Sequence, residues 1–147
     1  MSLGQLHTLH KFESDKERKA AQELQHAEQD YQQNLLRLQS VGEYRLEYMK
    51  RLEQRSLSGV DSATYKHFHA FITKLDNAAE QVEIAIQQSK ALVEQKRALW
   101  LTQRQKVKAV ELLLEKRQAM LDLKANKLEQ KMFDEIATQR FVRQSNV

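Results

Sequence analysis

Few side chains in this chain are of a type that does chemistry. Its five histidines are His7, His10, His26, His67 and His69. His7 and His10 stand at i, i+3, on one face of a helix, and with a third ligand could hold a metal. No third ligand is evident, and solvated histidines on a helix surface are the competing reading. His67 and His69 are two apart and point to different faces. Asp134 and Glu135 are adjacent, diverge on a helix and read as surface solvation rather than an acid–base pair. There is no glycine loop to cradle phosphate, no His-Glu-x-x-His and no serine elbow. With no cysteine, thiol catalysis, disulfide scaffolds and Cys-ligated metal are excluded. The expectation is a protein that is not an enzyme, with no cofactor and no metal.

The elements that carry the remaining residues are helices. The 147 residues include no proline and only three glycines, Gly4, Gly42 and Gly59, too few for the turns of a sandwich, barrel or α/β domain. Charged residues are 30% and aromatics 7%, with abundant Leu, Ala, Gln, Glu and Lys, a long-helix or coiled-coil composition. One break stands out, Ser56-Leu57-Ser58-Gly59-Val60-Asp61-Ser62. Arg51 and Arg55 suit a helix C-terminus, Gly59 a left-handed C′ position and Asp61 an N-cap, with Val60 and Tyr65 spaced as a hydrophobic staple.

The expected architecture is all-α: a long antiparallel two-helix coiled-coil hairpin with a C-terminal helical overhang, a single domain over 1–147. Helix A runs from about 3 to 57, the turn over 58–60 and helix B from about 61 to 142, with the last residues frayed. Helix B keeps a heptad, with a positions at Tyr65, Ile72, Ala79, Ile86, Val93, Trp100, Val107, Leu114, Leu121 and Leu128. Its d positions begin as Phe68, Leu75 and Val82 and then turn mostly polar. Helix A repeats more weakly, and before Leu24 its apolar residues drift to Leu6, Leu9, Phe12 and Ala20. With the turn centred near Ser58, residue i faces roughly 116 − i. Helix B then outruns helix A by about 28 residues, an overhang of ~40 Å. On this register, truncation after Glu115 leaves the pairing intact.

Three surface features follow. An aromatic strip near the turn joins Tyr44 and Phe71, placed side by side, with Tyr48, Leu75 and Ala78; it reads either as a widened core or as a protein-binding patch. Gly42 lies close by, fitting a partner's close approach or a tolerated defect. A basic sleeve around Trp100 holds Lys90, Lys96, Arg97, Arg104, Lys106 and Lys108, facing a roughly neutral stretch of helix A. It reads as a solvated face, or as a site for an acidic protein or a phosphate backbone. The overhang carries Met120, Leu121, Leu123, Leu128, Met132, Phe133, Ile136, Phe141 and Val142, an apolar load that calls for a docking partner. The net charge of +4 permits an anionic partner and requires none. No apolar run reaches the ~18 residues needed to span a bilayer. The N-terminus lacks the pattern of a secretory signal, so a cytoplasmic or membrane-peripheral protein is expected.

Ordered motifs along nearly the whole chain resemble one family. The start, Leu6-His7-Thr8-Leu9-His10-Lys11-Phe12, resembles the N-terminus of the flagellar export protein FliJ. Glu43-Tyr44-Arg45-x-x-Tyr48 and Tyr65-x-x-Phe68-x-x-Phe71-Ile72-x-x-Leu75 are similar to segments of its two helices. Glu129-Gln130-Lys131-Met132-Phe133-Asp134-Glu135-Ile136-Ala137 is similar to its C-terminal motif. The resemblance implies a non-enzymatic part of the bacterial flagellar type III export apparatus, similar to the central stalk of rotary ATPases. It implies roles in flagellum biogenesis, protein transport, motility and chemotaxis, at the cytoplasmic face of the inner membrane. It implies three partners: the export ATPase hexamer, the membrane export gate and export chaperones. Mapped onto this chain, the gate contact falls on Tyr44, Tyr48, Phe71, Leu75 and Ala78. The ring contact falls on Lys96, Arg97, Arg104, Lys131, Phe133, Asp134 and Ile136. The alternatives are a stalk protein of a virulence secretion system, a basic coiled coil that binds nucleic acid, and a self-associating structural protein.

Overall fold

A computed structural model describes residues 1–146. The described residues form two long helices that pack against each other, with no strand among them: α1, Leu3–Leu57, and α2, Ser62–Ser145. α1 opens on a reciprocal cap. Gln5 N–H donates to Ser2 Oγ at 3.2 Å, and Ser2 N–H donates to Gln5 Oε1 at 3.0 Å. The Ser-x-x-Gln spacing of such a capping box is present in the sequence. α1 ends where Gly59 takes φ 90°, a conformation that a Cβ opposes. α2 begins at the Asp61 cap, where Thr64 N–H donates to Asp61 Oδ1 at 2.9 Å. The Thr64 side chain and then its backbone N–H hold the Asp61 carboxyl below its ordinary pKa. The cap therefore contributes at neutral pH, and its contribution is lost as pH falls through that lowered pKa. Residues 143–145, expected to fray, are helical.

By contact the chain falls into two units. The larger comprises Arg18–Leu101 and holds the turn. Its buried apolar side chains are Ala27, Leu52, Phe68, Ile72, Ile86 and Val93. Near the turn Leu52, Phe68 and Ile72 cluster, with Tyr48 against them. Tyr48 packs on Phe71, Arg45 pairs with Asp76 and Asn34 bonds to Ser89. These contacts lie three, five and seven residues further along α2 than 116 − i places them. The turn accounts for three residues of this shift: α1 stops at Leu57 and α2 starts at Ser62, so the centre lies between Gly59 and Val60 rather than at Ser58.

Two polar side chains sit in this seam. Asn34 Nδ2 donates to Ser89 Oγ at 3.3 Å, and Ser89 Oγ donates to the Ile86 carbonyl at 3.0 Å. Arg37 Nη1 donates to Asn34 Oδ1 at 3.3 Å. A buried amide that finds its partner in only one alignment fixes register at a cost in stability. Asn34→Leu should therefore raise the unfolding free energy by about 1 kcal/mol. Ser89 keeps its bond to Ile86 in that variant, so no group is orphaned. A lower midpoint in thermal melting contradicts this account.

The other unit comprises Met1–Glu17 and Thr102–Val147. Its described buried apolar side chains are Leu6, Val107 and Val110, with Val107 only 2% exposed. Here α1 keeps the heptad frame set by Leu24 and Tyr31 at a and Ala27 and Asn34 at d rather than drifting, but with His10, Glu13 and Glu17 in place of apolar residues. Gln103 Nε2 donates to the Glu13 carbonyl at 2.9 Å and also to its carboxylate. His10 Nε2 lies 3.3 Å from Glu111 Oε1. Leu3 and His7 share a shallow concavity with Leu114, Glu115, Gln118, Ala119 and Asp122. α1 thus reaches past Glu115, and a truncation that preserves the pairing belongs after Asp122.

Gly42 lies inside α1, and a Cβ built there meets nothing within 4 Å. Among the described residues nothing crowds a side chain at this position. Gly42→Ala should stabilise by about 0.5–1 kcal/mol, read by denaturant melting. A destabilised variant contradicts the open environment.

Candidate interaction surfaces

The aromatic strip divides into a packed part and an exposed part. Tyr48 and Phe71 stack at 4.2 Å and 30°, and Phe68 lies 6.1 Å from Tyr48. The Arg51 guanidinium stands 5.5 Å from the Tyr48 ring, and that of Arg55 stands 5.5 Å from Phe68. These rings and cations line a shallow groove with Ala63, Thr64 and His67. Leu75 and Ala78 are half-buried. Tyr44 is 56% exposed. The structure corrects its expected place beside Phe71, because Tyr48 stacks there; the shifted register sets Tyr44 one turn further from the loop. Tyr65, expected to staple against Val60, is exposed and turns its ring to His69, 4.6 Å away.

Three of the six cations of the basic sleeve stand beside α1 carboxylates. Lys96 Nζ lies 3.2 Å from Glu23, Arg97 Nη2 3.3 Å from Glu28 and Arg104 Nη1 3.3 Å from Glu17. These three carboxylates come from the facing stretch of α1, and Glu28 lies beyond the residues that 116 − i sets against the sleeve. Each pair is at least partly open to water and contributes little to stability, and each sets a carboxylate beside a cation that a phosphate backbone would otherwise select. Lys90, Lys106 and Lys108 remain exposed.

The C-terminal part of α2 has no cover. Residues 118–146 are all exposed. Phe133 is 63% and Ile136 47% exposed, and Lys131 and Asp134 stand in the same open stretch. Phe133, Ile136, Ala137, Arg140, Phe141 and Gln144 line one shallow face of the helix. Among the described residues no three metal-capable side chains cluster, and no helix is long and apolar enough to cross a membrane.

Of the residues singled out in the sequence, the structure brings together Tyr48 and Phe71 and leaves Tyr44 exposed. It pairs Lys96, Arg97 and Arg104 with α1 carboxylates. The paired seam polars Asn34 and Ser89, and the Ser2–Gln5 cap, were not anticipated. The polar d positions and the Ser-x-x-Gln spacing were their signals.

No curated protein and no solved structure matches the chain. The profile of one family, described as flagellar FliJ protein, matches residues 1–146. The chain therefore belongs to the flagellar FliJ protein family and is a flagellar export-related protein.

Proposed function

We propose that this protein acts as a stalk-like helical connector between the export ATPase ring and the membrane export gate, without catalysing a reaction itself. The observation that carries this reading is the uncovered end of α2. A helix with exposed Leu128, Met132, Phe133 and Ile136 is not stable on its own account in water and gains by docking. Lys131 and Asp134 flank that face and would set its orientation in an acidic-edged ring. The turn-proximal unit supplies the gate contact, with Tyr44 as its exposed anchor and Tyr48, Phe71, Leu75 and Ala78 as its packed base. Lys96, Arg97 and Arg104 can join the ring contact only by exchanging their α1 carboxylate partners. Chaperone handling, a role in motility and chemotaxis, and a place at the cytoplasmic face of the inner membrane belong to the same reading. Family membership supports the apparatus, and the exposed surfaces support the division of labour. Titration against the purified flagellar export ATPase tests it. Saturable binding that disappears when α2 is cut after Asp122 supports the role; equal binding removes it.

A further inference from the structure

The exposed end of α2 has its own heptad, rotated from the one that faces α1. Beyond Leu114 the α1-facing frame runs into Arg117, Lys124 and Lys131. The apolar stripe instead follows Leu121, Ala125, Leu128 and Met132 in alternating steps of four and three, with Ile136 beside it, one place past the next seam position, Glu135. All five apolar residues are exposed. In this frame Leu121 and Leu128 are d, Ala125 and Met132 are a, Arg117 and Lys124 are g, and Asp122 and Glu129 are e.

The four charges share an unusual property. None has an opposite charge at i±3 or i±4 on its own helix, the positions where helix charges normally pair. Arg117 Nε is in addition buried without a hydrogen-bond partner. Each cation has an acid five residues later, Arg117 with Asp122 and Lys124 with Glu129. Five residues is the g-to-e′ step between two parallel helices, and it is out of reach within one helix.

We propose that two copies of this chain associate in parallel through α2 residues 117–136, with Leu121, Ala125, Leu128 and Met132 in the seam and Arg117–Asp122′ and Lys124–Glu129′ pairs on both sides. The antiparallel alternative is disfavoured by the same charges. It sets e against e′, acid on acid, and g against g′, cation on cation. The contact covers about five helical turns and includes one small Ala layer, so it is a weak, reversible dimer. It covers the apolar stripe while the protein is free, and the copies separate before that stripe meets any other protein. This inference stands independently of the connector role, because it concerns the purified chain alone.

Sedimentation of the full chain over a concentration series tests it. A concentration-dependent monomer–dimer equilibrium is expected. Lys124→Glu sets a new carboxylate against that of Glu129′ twice per dimer and weakens association about tenfold; Glu129→Lys does the same with ammonium groups. An equimolar mixture of the two variants restores both attractive pairs and recovers association. The chain has no cysteine, so Ala125→Cys gives one thiol, which a parallel pair sets against its own copy and which mild oxidation should bridge. A chain that stays monomeric leaves the stripe to a different protein and overturns the proposal. So does a dimer unmoved by either reversal, or a mixture that behaves as its separate components do. Circular dichroism of each variant separates lost association from lost folding.

Discussion

Truncation after Asp122 is expected to abolish binding to the export ATPase while leaving the melting transition of the remaining helix pair in place. Residues 123–146, which the cut removes, are all exposed. Leu3 and His7, in the first turns of α1, share their concavity with residues no later than Asp122, so the cut leaves that packing complete. Leu6, Val107 and Val110 stay buried. What is lost is the docking surface: Leu128, Met132, Phe133, Ile136, Phe141 and Val142, each roughly half or more exposed. Interfaces concentrate their energy in a few such anchors, so the double change Phe133→Ser and Ile136→Ser should weaken binding by about 2–4 kcal/mol without shortening the helix. Titration of the three proteins against purified ATPase, with circular dichroism melts of each, checks both halves. A truncated chain that binds as well as the full one removes this segment from the mechanism. The charge reversals at Lys124 and Glu129 keep Phe133 and Ile136, so a loss of dimer and a loss of ATPase binding can be told apart.

How much of this was legible in the sequence depended on whether one residue or a pair carried the information. Gly59 and Asp61 mark the break through their own conformational and hydrogen-bonding preferences, and the a positions from Ile72 to Leu114 mark a seam through their spacing. Register is a property of two helices at once. Placing the turn at Ser58 rather than between Gly59 and Val60 displaced the cross-helix neighbours of the turn-proximal unit by three residues or more. It set Tyr44 beside Phe71 in place of Tyr48, and it left Glu28, the partner of Arg97, outside the stretch that faces the sleeve. The seam of α1 before Leu24 was missed for a related reason. Glu13 and Glu17 are not apolar, so a hydrophobic pattern passes over them, yet Gln103 and Arg104 across the seam give them partners. The family resemblance rested on ordered motifs rather than on register, so the shifted register does not affect it.

The second large effect separates the two parts of the aromatic strip. Phe68→Ala is expected to destabilise the turn-proximal unit by about 3 kcal/mol, because Phe68 is buried with Leu52 and Ile72 and lies beside Tyr48, and truncating a core phenylalanine removes both its transfer free energy and its packing. A seam one stripe wide has few other side chains to close over the gap. Phe71→Ala, which loses the stacked Tyr48 ring but is half-buried, should cost about 1–2 kcal/mol. Tyr44→Ala should change stability by less than ~0.5 kcal/mol, since the ring is mostly in water and alanine is the better helix former. The binding measurement then runs the other way. Against the purified soluble part of the export gate protein, Tyr44→Ala should lose most of its affinity while melting like the parent, as expected of an exposed aromatic anchor. If Tyr44→Ala melts as early as Phe68→Ala, the whole strip is core. If it melts like the parent and binds the gate protein with unchanged affinity, the exposed ring is not the contact, and the groove lined by Tyr48, Arg51, Arg55 and Phe71 becomes the surface to substitute next.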